Sequence, residues 1–344
     1  RVGMPDQSPP PAFRIDQLPV PNRVLLAPMS GVSDLPFRRI AHRLGAGLVF
    51  SEMVAGDRLL AGDIEATSKA DCADMTPRAV QLAGCRADYL AEAARFVEAS
   101  GADLVDINMG CPAKKVTGGL AGSALMRDLD HAVSLIRAVV AAVSLPVTVK
   151  MRLGWDEASI NAPELARRAE QEGVRMVTVH GRTRQQFYKG QANWDAIRDV
   201  VDAVAIPVVA NGDCATATDA RAMLDRSGAA AIMVGRAATG RPWLPGALAR
   251  ALDAGDAEVA SPDMPALAAI SAEHFSACVD HYGADVGVRT ARKHLAAALD
   301  HAVATGCVDD RPTLRRAILT EPEPEAVMRL LAIWFEQPLK EQAA

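Results

Sequence analysis

The sequence predicts an α/β chain, a (β/α)8 TIM barrel followed by a small C-terminal all-helical domain, and three observations carry that reading. Short β-branched apolar runs recur eight times between Val24 and Ala237, at intervals of 24 to 42 residues. Segments with helical periodicity lie between them, several opening on a capping residue and closing on glycine. Past about Leu252 the strand-like runs stop and only helix-like segments follow. Eight strand–helix units in about 230 residues suit a barrel of this kind, whereas an open doubly wound sheet would not usually need eight parallel strands.

In order, the runs are VLLAPM, LVFSEM, AVQLAG, LVDINMG, PVTVKMRLG, MVTVHGR, PVVANGD and AIMVGRA. The helical segments between them include DLPFRRIAHRLGA, DYLAEAARFVEASGA, HAVSLIRAVVAAV and WDAIRDVVDAV. The longest interval follows the fourth run, where Gly110 and Pro112 end the strand and set Cys111 at the start of a glycine-rich loop. Residues 1–22 read as a proline-rich leader with no fold of its own, residues 23–255 as the barrel, and residues 256–344 as the helical domain, entered through the linker AGDAEVASPDMP.

Composition narrows the function classes. With 344 residues, half of them apolar and 23% charged, the chain has ample core for one large unit and a smaller one. Its apolar runs fall short of the roughly 18 residues that a membrane span needs, so a cytoplasmic protein without membrane contact is expected. The six cysteines are scattered and form no C-x-x-C pair, so neither a disulfide framework nor a metal site is expected. A net charge of -5 opposes a surface built throughout for nucleic acid but leaves room for a local basic face. No protein partner is evident.

In such a barrel the chemistry lies at the C-terminal ends of the strands. The polar residues there are Ser30 beside Met29, Glu52, Gln81, Asn108 with Cys111, Lys150 with Arg152, His180 with Arg182, Asn211 with Asp213, and Arg236 after Gly235. The Asn-Gly-Asp turn and the Gly-Arg pair after the last two strands suit a phosphate site, with Arg236 adding a planar fork. Lys150 points into the barrel mouth and needs an anionic partner, either a ligand or a carboxylate such as Glu52. Together, Lys150, His180 and a phosphate site describe a phosphorylated cofactor with a polar, electron-rich ring. Cys111 is open to two readings, a packing residue or a catalytic one. An ordinary thiol, titrating near about 8.5, is almost wholly protonated at neutral pH, which suits a proton donor in the reduction of a polarised double bond.

The motifs APMSGVSDLPFR, SEM, QLAG, DINMGCPAKKV with LAGSALM, VTVKMRLGW, VHGRTR, ANGD and GRAATGRPW, followed by ARKH in the helical part, resemble those of the tRNA-dihydrouridine synthases, most closely the bacterial B-type subfamily. The resemblance implies FMN, held around Pro28, Met29 and Ser30 and by Gln81, Lys150, Asn211, Gly212, Asp213, Gly235 and Arg236, with Asn108 and His180 nearby. It implies Cys111 as general acid, NADPH as reductant, and tRNA as substrate, reduced at a D-loop uridine for which the subfamily favours position 17. Lys114, Lys115, Arg152 and Arg182 would meet tRNA at the mouth, and Arg289, Arg292 and Lys293, at i, i+3 and i+4 on one helix face, would meet it from the helical domain. Two departures stand out: Ser33 replaces a usual threonine, a change expected to matter little, and AAALDHA follows ARKH where an aromatic pair is usual, which speaks against base stacking from that helix. Competing readings are an FMN-dependent oxidoreductase of a free pyrimidine or other small molecule, and a flavin- or RNA-binding protein without turnover.

Overall fold

The computed structural model describes residues 12–336, residue 73 aside; the start of the leader and the last residues of the helical segment lie outside the described residues. The strands are β1 (Phe13–Ile15), β2 (Leu18–Val20), β3 (Val24–Leu26), β4 (Leu48–Val49), β5 (Val54–Ala55), β6 (Ala79–Ala83), β7 (Leu104–Met109), β8 (Val147–Arg152), β9 (Met176–His180), β10 (Val208–Asn211) and β11 (Ala231–Val234). β1 and β2 form an antiparallel hairpin, and the other nine form one parallel sheet in the order β4-β3-β11-β10-β9-β8-β7-β6-β5. A parallel bridge between Phe50 and Ala79 joins β4 to β6, so the sheet closes into a barrel. β4 and β5 are two halves of the second barrel strand, of which the run LVFSEM holds the first half and the break, β5 following directly after it. The break is held by Ser51, whose N–H donates to the Ala79 carbonyl and whose Oγ accepts from the Gln81 N–H, both at 2.9 Å.

Side-chain alternation sorts the strands into two cores. One set, including Leu25, Phe50, Leu104, Met176, Val209 and Met233, fills the lower interior of the barrel; the other faces the surrounding helices. One layer higher the interior turns polar, with Gln81, Asp106, Thr148 and Thr178 all buried. The hairpin at 13–20 corrects the expectation that the leader carries no fold. Ile15 and Val20 are fully buried on the lower interior, where an open barrel end would leave apolar side chains wet; covering such a residue contributes about 1.5–3 kcal/mol.

Among the described residues, four helices follow residue 263: Met264–Tyr282, Ala284–Ala304, Pro312–Thr320 and Pro324–Phe335. Their buried Phe275, Leu295, Leu299 and Trp334 belong to the same apolar cluster as the outer face of the barrel. The seam centres on the Leu35–Arg43 helix, whose N-cap Asp34 accepts from Phe37 N–H at 3.1 Å and from Tyr282 Oη at 3.1 Å. Phe37 packs against the rings of His274 and His294, with centroids at 5.5 and 4.9 Å, and Gly240 N–H donates to His294 Nδ1 at 3.1 Å. Gly240 has φ +68, and a Cβ there would meet the His294 carbonyl at 2.5 Å and Ala297 Cβ at 2.8 Å, so small residues on both sides permit this approach. Asp34, His274 and Cys278 bring possible metal donor atoms within 4.8 Å of one another; Asp34 and Cys278 already bond to Tyr282 and His274. No helix among the described residues is long and apolar enough to cross a membrane.

Candidate active site

The alternation that sends Leu25, Phe50 and Leu104 inward also sends Gln81 to the layer beneath the mouth and Met29, Glu52, Asn108, Lys150, His180, Asn211 and Gly235 to the upper mouth of the barrel. Parallel register then sets Asn108 beside Lys150, Arg152 beside His180, and His180 beside Asn211. Lys150 is half-buried and donates to Asn211 Oδ1 at 3.0 Å, while Asn211 Nδ2 donates to the Met233 carbonyl at 2.8 Å. Its partner is thus a neutral amide, and the expected carboxylate, Glu52, instead accepts from Gly31 N–H at 2.6 Å. Burial, then the charge of Arg152, pushes the Lys150 ammonium down to about 8; Asp106 and Cys111 partly oppose this. His180 is held well below its ordinary value by burial and by Arg152, Lys150, Arg182 and Arg236, so the ring is neutral at neutral pH. Arg182 Nη1 approaches His180 Nε2 at 3.4 Å, which assigns the ring proton to Nδ1. Four cations thus surround a neutral histidine, two of them, Arg182 and Arg236, sharing the Asp213 carboxylate.

Cys111 is half-exposed on the rim, and its peptide unit is pinned from both sides. Its N–H donates to Asn108 Oδ1 at 3.0 Å, and its carbonyl accepts from Ser123 N–H at 3.0 Å and Ser123 Oγ at 2.8 Å. Gly122 makes this possible: at φ +60, a Cβ would meet the Cys111 carbonyl at 2.8 Å and Val116 Cγ1 at 2.9 Å. Lys114 and Lys115 stand exposed on the short Lys114–Thr117 helix just beyond.

Several expectations change. Gln81 is fully buried, with Nε2 donating to Asp106 and Oε1 accepting from Asn108, so both ends of its amide are bonded within the protein and its side chain supports Asn108. Within the first turn, Met29 N–H donates to Ser33 Oγ at 2.7 Å and its carbonyl accepts from Val32 and Ser33, so Met29 offers the mouth its side chain, beside Gly235. The Ser33 hydroxyl supplies the bond a threonine would, which agrees with the substitution mattering little. Pro28 is half-buried and Ser30 exposed beside it. Arg152 and Arg182, each 1% exposed, are turned inward and cannot meet tRNA directly. Arg152 donates to the carbonyls of Gly110, Thr183 and Phe187 at 2.8–2.9 Å. Arg182 forks onto Asp213 at 2.9 and 2.5 Å and also donates to the Lys189 and Gly190 carbonyls. Asp213 is accordingly committed: burial raises it, but bonds from Arg182 and Ala192 N–H carry it below the usual carboxylate range. Arg236, more exposed, reaches Asp213 at 3.2 Å and lies over the Tyr188 ring at 4.7 Å. Gly212 has φ +124, with no room for a side chain between Ala192 and His180.

In the helical part, Arg289, Arg292 and Lys293 do not form one free stripe. Arg289 is exposed, but Arg292 points toward the Thr320 and Glu321 carbonyls and Lys293 Nζ donates to the Gly31 carbonyl across the seam. The rim also gathers a group that strand-end reasoning does not find. Trp155 lies between Arg127 at 4.9 Å and Arg184 at 4.7 Å, and Arg184 also stacks on Phe187. Two of its members, Arg184 and Phe187, stand close together in GRTRQQFYKG, but Arg127 and Trp155 come from other segments and carry no local signal.

The closed barrel with its polar, cation-lined mouth defines a (β/α)8 enzyme whose chemistry sits at the strand C-termini. Residues 25–316 match the family model described as Dihydrouridine synthase (Dus), and the chain belongs to that family, an oxidoreductase family. A probable tRNA-dihydrouridine synthase of Rhizobium leguminosarum bv. phaseoli is 56% identical over 276 residues, 80% of this chain and 84% of that one. A probable tRNA-dihydrouridine synthase of Rhodobacter capsulatus is 50% identical over 325 residues, 94% of this chain and 98% of that one. The tRNA-dihydrouridine synthase B of Pseudomonas putida is 45% identical over 285 residues, 83% of this chain and 84% of that one, consistent with the B-type resemblance. Among solved structures, histamine dehydrogenase from Rhizobium sp. 4-9 superposes with a TM-score of 0.53 at 15% identity, covering 77% of this chain and 50% of that one, a likeness of fold alone.

Proposed function

We propose that this protein reduces a uridine in the D-loop of tRNA, position 17, to 5,6-dihydrouridine, using FMN and NADPH, with Cys111 as proton donor. The observation that carries the reading is the Cys111 peptide clamped on the rim between Asn108 and Ser123, within electrostatic reach of a half-buried lysine that has no carboxylate partner. The residues present fit FMN: Lys150 and Asn211 offer an ammonium and an amide to an electron-rich ring, and Gly235 with Arg236 offers backbone and guanidinium to its phosphate. Bound there, FMN would relay the hydride of NADPH to one carbon of the uracil 5,6 double bond. The Cys111 thiol gives its proton to the neighbouring carbon and recovers one from solvent, so NADPH, one proton and uridine become NADP⁺ and dihydrouridine. Neutral His180 can donate a hydrogen bond from Nδ1 without adding a full charge to a crowded cationic mouth.

In this reading residues 23–255 perform the chemistry and residues 256–344 help to hold tRNA in the cytoplasm. Lys114, Lys115 and Arg289, all exposed, remain direct contacts, joined by the arginine–aromatic rim, since arginine planes and aromatic faces both stack on splayed bases. The small-molecule alternative has one observation in its favour: Arg152 and Arg182 are buried inside the protein, and Arg292 and Lys293 bond to backbone carbonyls of neighbouring segments. Parallel turnover of purified tRNA and of free uridine, uracil and their nucleotides, with NADPH oxidation followed, separates the two. Saturable turnover of a free pyrimidine with tRNA untouched would reverse the assignment.

A further inference from the structure

The polar layer beneath the mouth contains a buried carboxylate that the proposed chemistry does not use. Asp106 on β7 accepts from Thr148 Oγ1 at 2.6 Å and from Gln81 Nε2 at 2.7 Å. Gln81 Oε1 in turn accepts from Asn108 Nδ2 at 2.8 Å, and Asn108 Oδ1 accepts from the N–H groups of Gly110 and Cys111 at 3.2 and 3.0 Å. The chain therefore runs without interruption from Asp106 to the Cys111 peptide. Its direction matters because a primary amide has one donating and one accepting end that differ little in shape. An ionised carboxylate only accepts, so it forces Gln81 Nε2 toward itself and Oε1 toward Asn108. That in turn forces Asn108 to present its oxygen to the Cys111 N–H.

We infer that Asp106 is a positioning residue that sets the orientation of the Gln81 and Asn108 amides and through them the backbone of the Cys111 loop. Without it, both amides are free to reverse together, and the Asn108 amino group would then face the Gly110 and Cys111 N–H groups, donor against donor, in a buried place where an unmade bond is costly. Burial raises Asp106 to about 6, restrained by Gln81, Thr148 and Lys150, so the carboxylate is mainly ionised at neutral pH. The inference deepens the proposed function but is judged on a readout that needs neither cofactor nor tRNA.

The experiment compares wild type, Asp106→Asn, and the double variant Asp106→Asn/Gln81→Glu as ligand-free protein, measuring hydrogen exchange of the Gly110 and Cys111 amides. In the single variant the new amide group at 106 presents a donor or an acceptor with equal ease, and exchange at both amides accelerates by about 10-fold or more. In the double variant the first link is reversed: the amide at 106 donates to the new carboxylate at 81, which still accepts from Asn108, and slow exchange returns. The rate of tRNA reduction follows the same order, falling on the order of 10- to 100-fold in kcat and partly recovering, because a small displacement at a reacting centre can cost that much. Unchanged exchange in the single variant, or no recovery of exchange in the double variant, overturns the inference. If Asp106→Asn does not fold, Gln81→Met breaks the chain at its middle link while leaving Thr148 on Asp106. Wild-type exchange in that variant equally overturns it, and accelerated exchange supports it. Failure of the wild type to reduce tRNA would instead count against the proposed function and leave the exchange result standing.

Discussion

Replacing Arg152 separates a structural account of the mouth from an RNA-binding one. Its guanidinium joins Gly110, on the Cys111 loop, to Thr183 and Phe187 on the loop after β9, through three bonds of 2.8–2.9 Å. Burial pushes its pKa down to about 10, so it remains charged at neutral pH, and at 1% exposure it offers nothing to a phosphate outside. Arg152→Met leaves three carbonyls without their donor. Hydrogen bonds to charged groups are worth about 1.5–3 kcal/mol each, and removing one buried charged partner typically costs about 3–5 kcal/mol in all, or on the order of 10 °C in Tm for a barrel of this size. Arg152→Lys should lose nearly as much, because an ammonium cannot fork to three carbonyls on two loops. The assay pairs thermal melts with tRNA affinity across a salt series. The structure predicts a large drop in Tm and an unchanged salt slope. An unchanged Tm with a slope reduced by about 0.7–0.9, the signature of one lost phosphate contact, would refute it.

Lys150→Met should bind flavin about 10- to 100-fold more weakly and purify pale, since one charge-assisted bond is removed where Asn211 alone remains; full yellow colour would show that the cation is not part of the cofactor site. Tyr282→Phe removes a donor from buried Asp34 and should cost about 1–3 kcal/mol in denaturant melts without changing the mouth, and an unaltered midpoint would show that the seam does not depend on this bond. His274 is held down to about 4 by burial, so between pH 6.5 and 4 the unfolded chain gains a proton that the folded chain refuses, and acid removes stability. Asp106, raised to about 6, works in the opposite sense across the same window and partly masks it. The stability advantage of wild type over His274→Leu should therefore shrink by up to about 3 kcal/mol as the pH falls from 6.5 to 4, and a constant difference would contradict a neutral buried ring.

Much of the mouth was legible because strand alternation and barrel closure leave little freedom. Once Asn108, Lys150, His180 and Asn211 are placed at strand ends on inward positions, parallel register makes them neighbours. What alternation cannot say is where a long side chain ends. Arg152 and Arg182 stand at the right positions to meet a ligand, yet their guanidinium groups are claimed by carbonyls of the 183–190 loop, a contact between segments with no local signature. Arg292 and Lys293 illustrate the same limit on a helix: i, i+3 and i+4 spacing describes a face but not which of its side chains bond to a neighbouring element. Asp106 was passed over because an aspartate inside an apolar strand reads as a strand residue until Gln81 and Thr148 are seen across from it. The β1–β2 hairpin was hidden by the prolines around it, although Phe13, Ile15, Leu18 and Val20 have the alternating spacing of two strand faces that pair Ile15 with Leu18 and Phe13 with Val20.

The central claim is that Cys111 delivers a proton to a tRNA uridine at this mouth, and mass spectrometry of tRNA tests it most directly. Transcripts or tRNA from a strain lacking the activity would be incubated with FMN, NADPH and either wild type or Cys111→Ala, then digested and mapped. Wild type should add two hydrogen atoms to one D-loop uridine, at position 17, whereas Cys111→Ala, still yellow and still reduced by NADPH, should do so about 10²- to 10⁴-fold more slowly, the usual worth of a general acid. Full-rate modification by Cys111→Ala, or tRNA left unchanged by flavin-loaded wild type, would contradict the account.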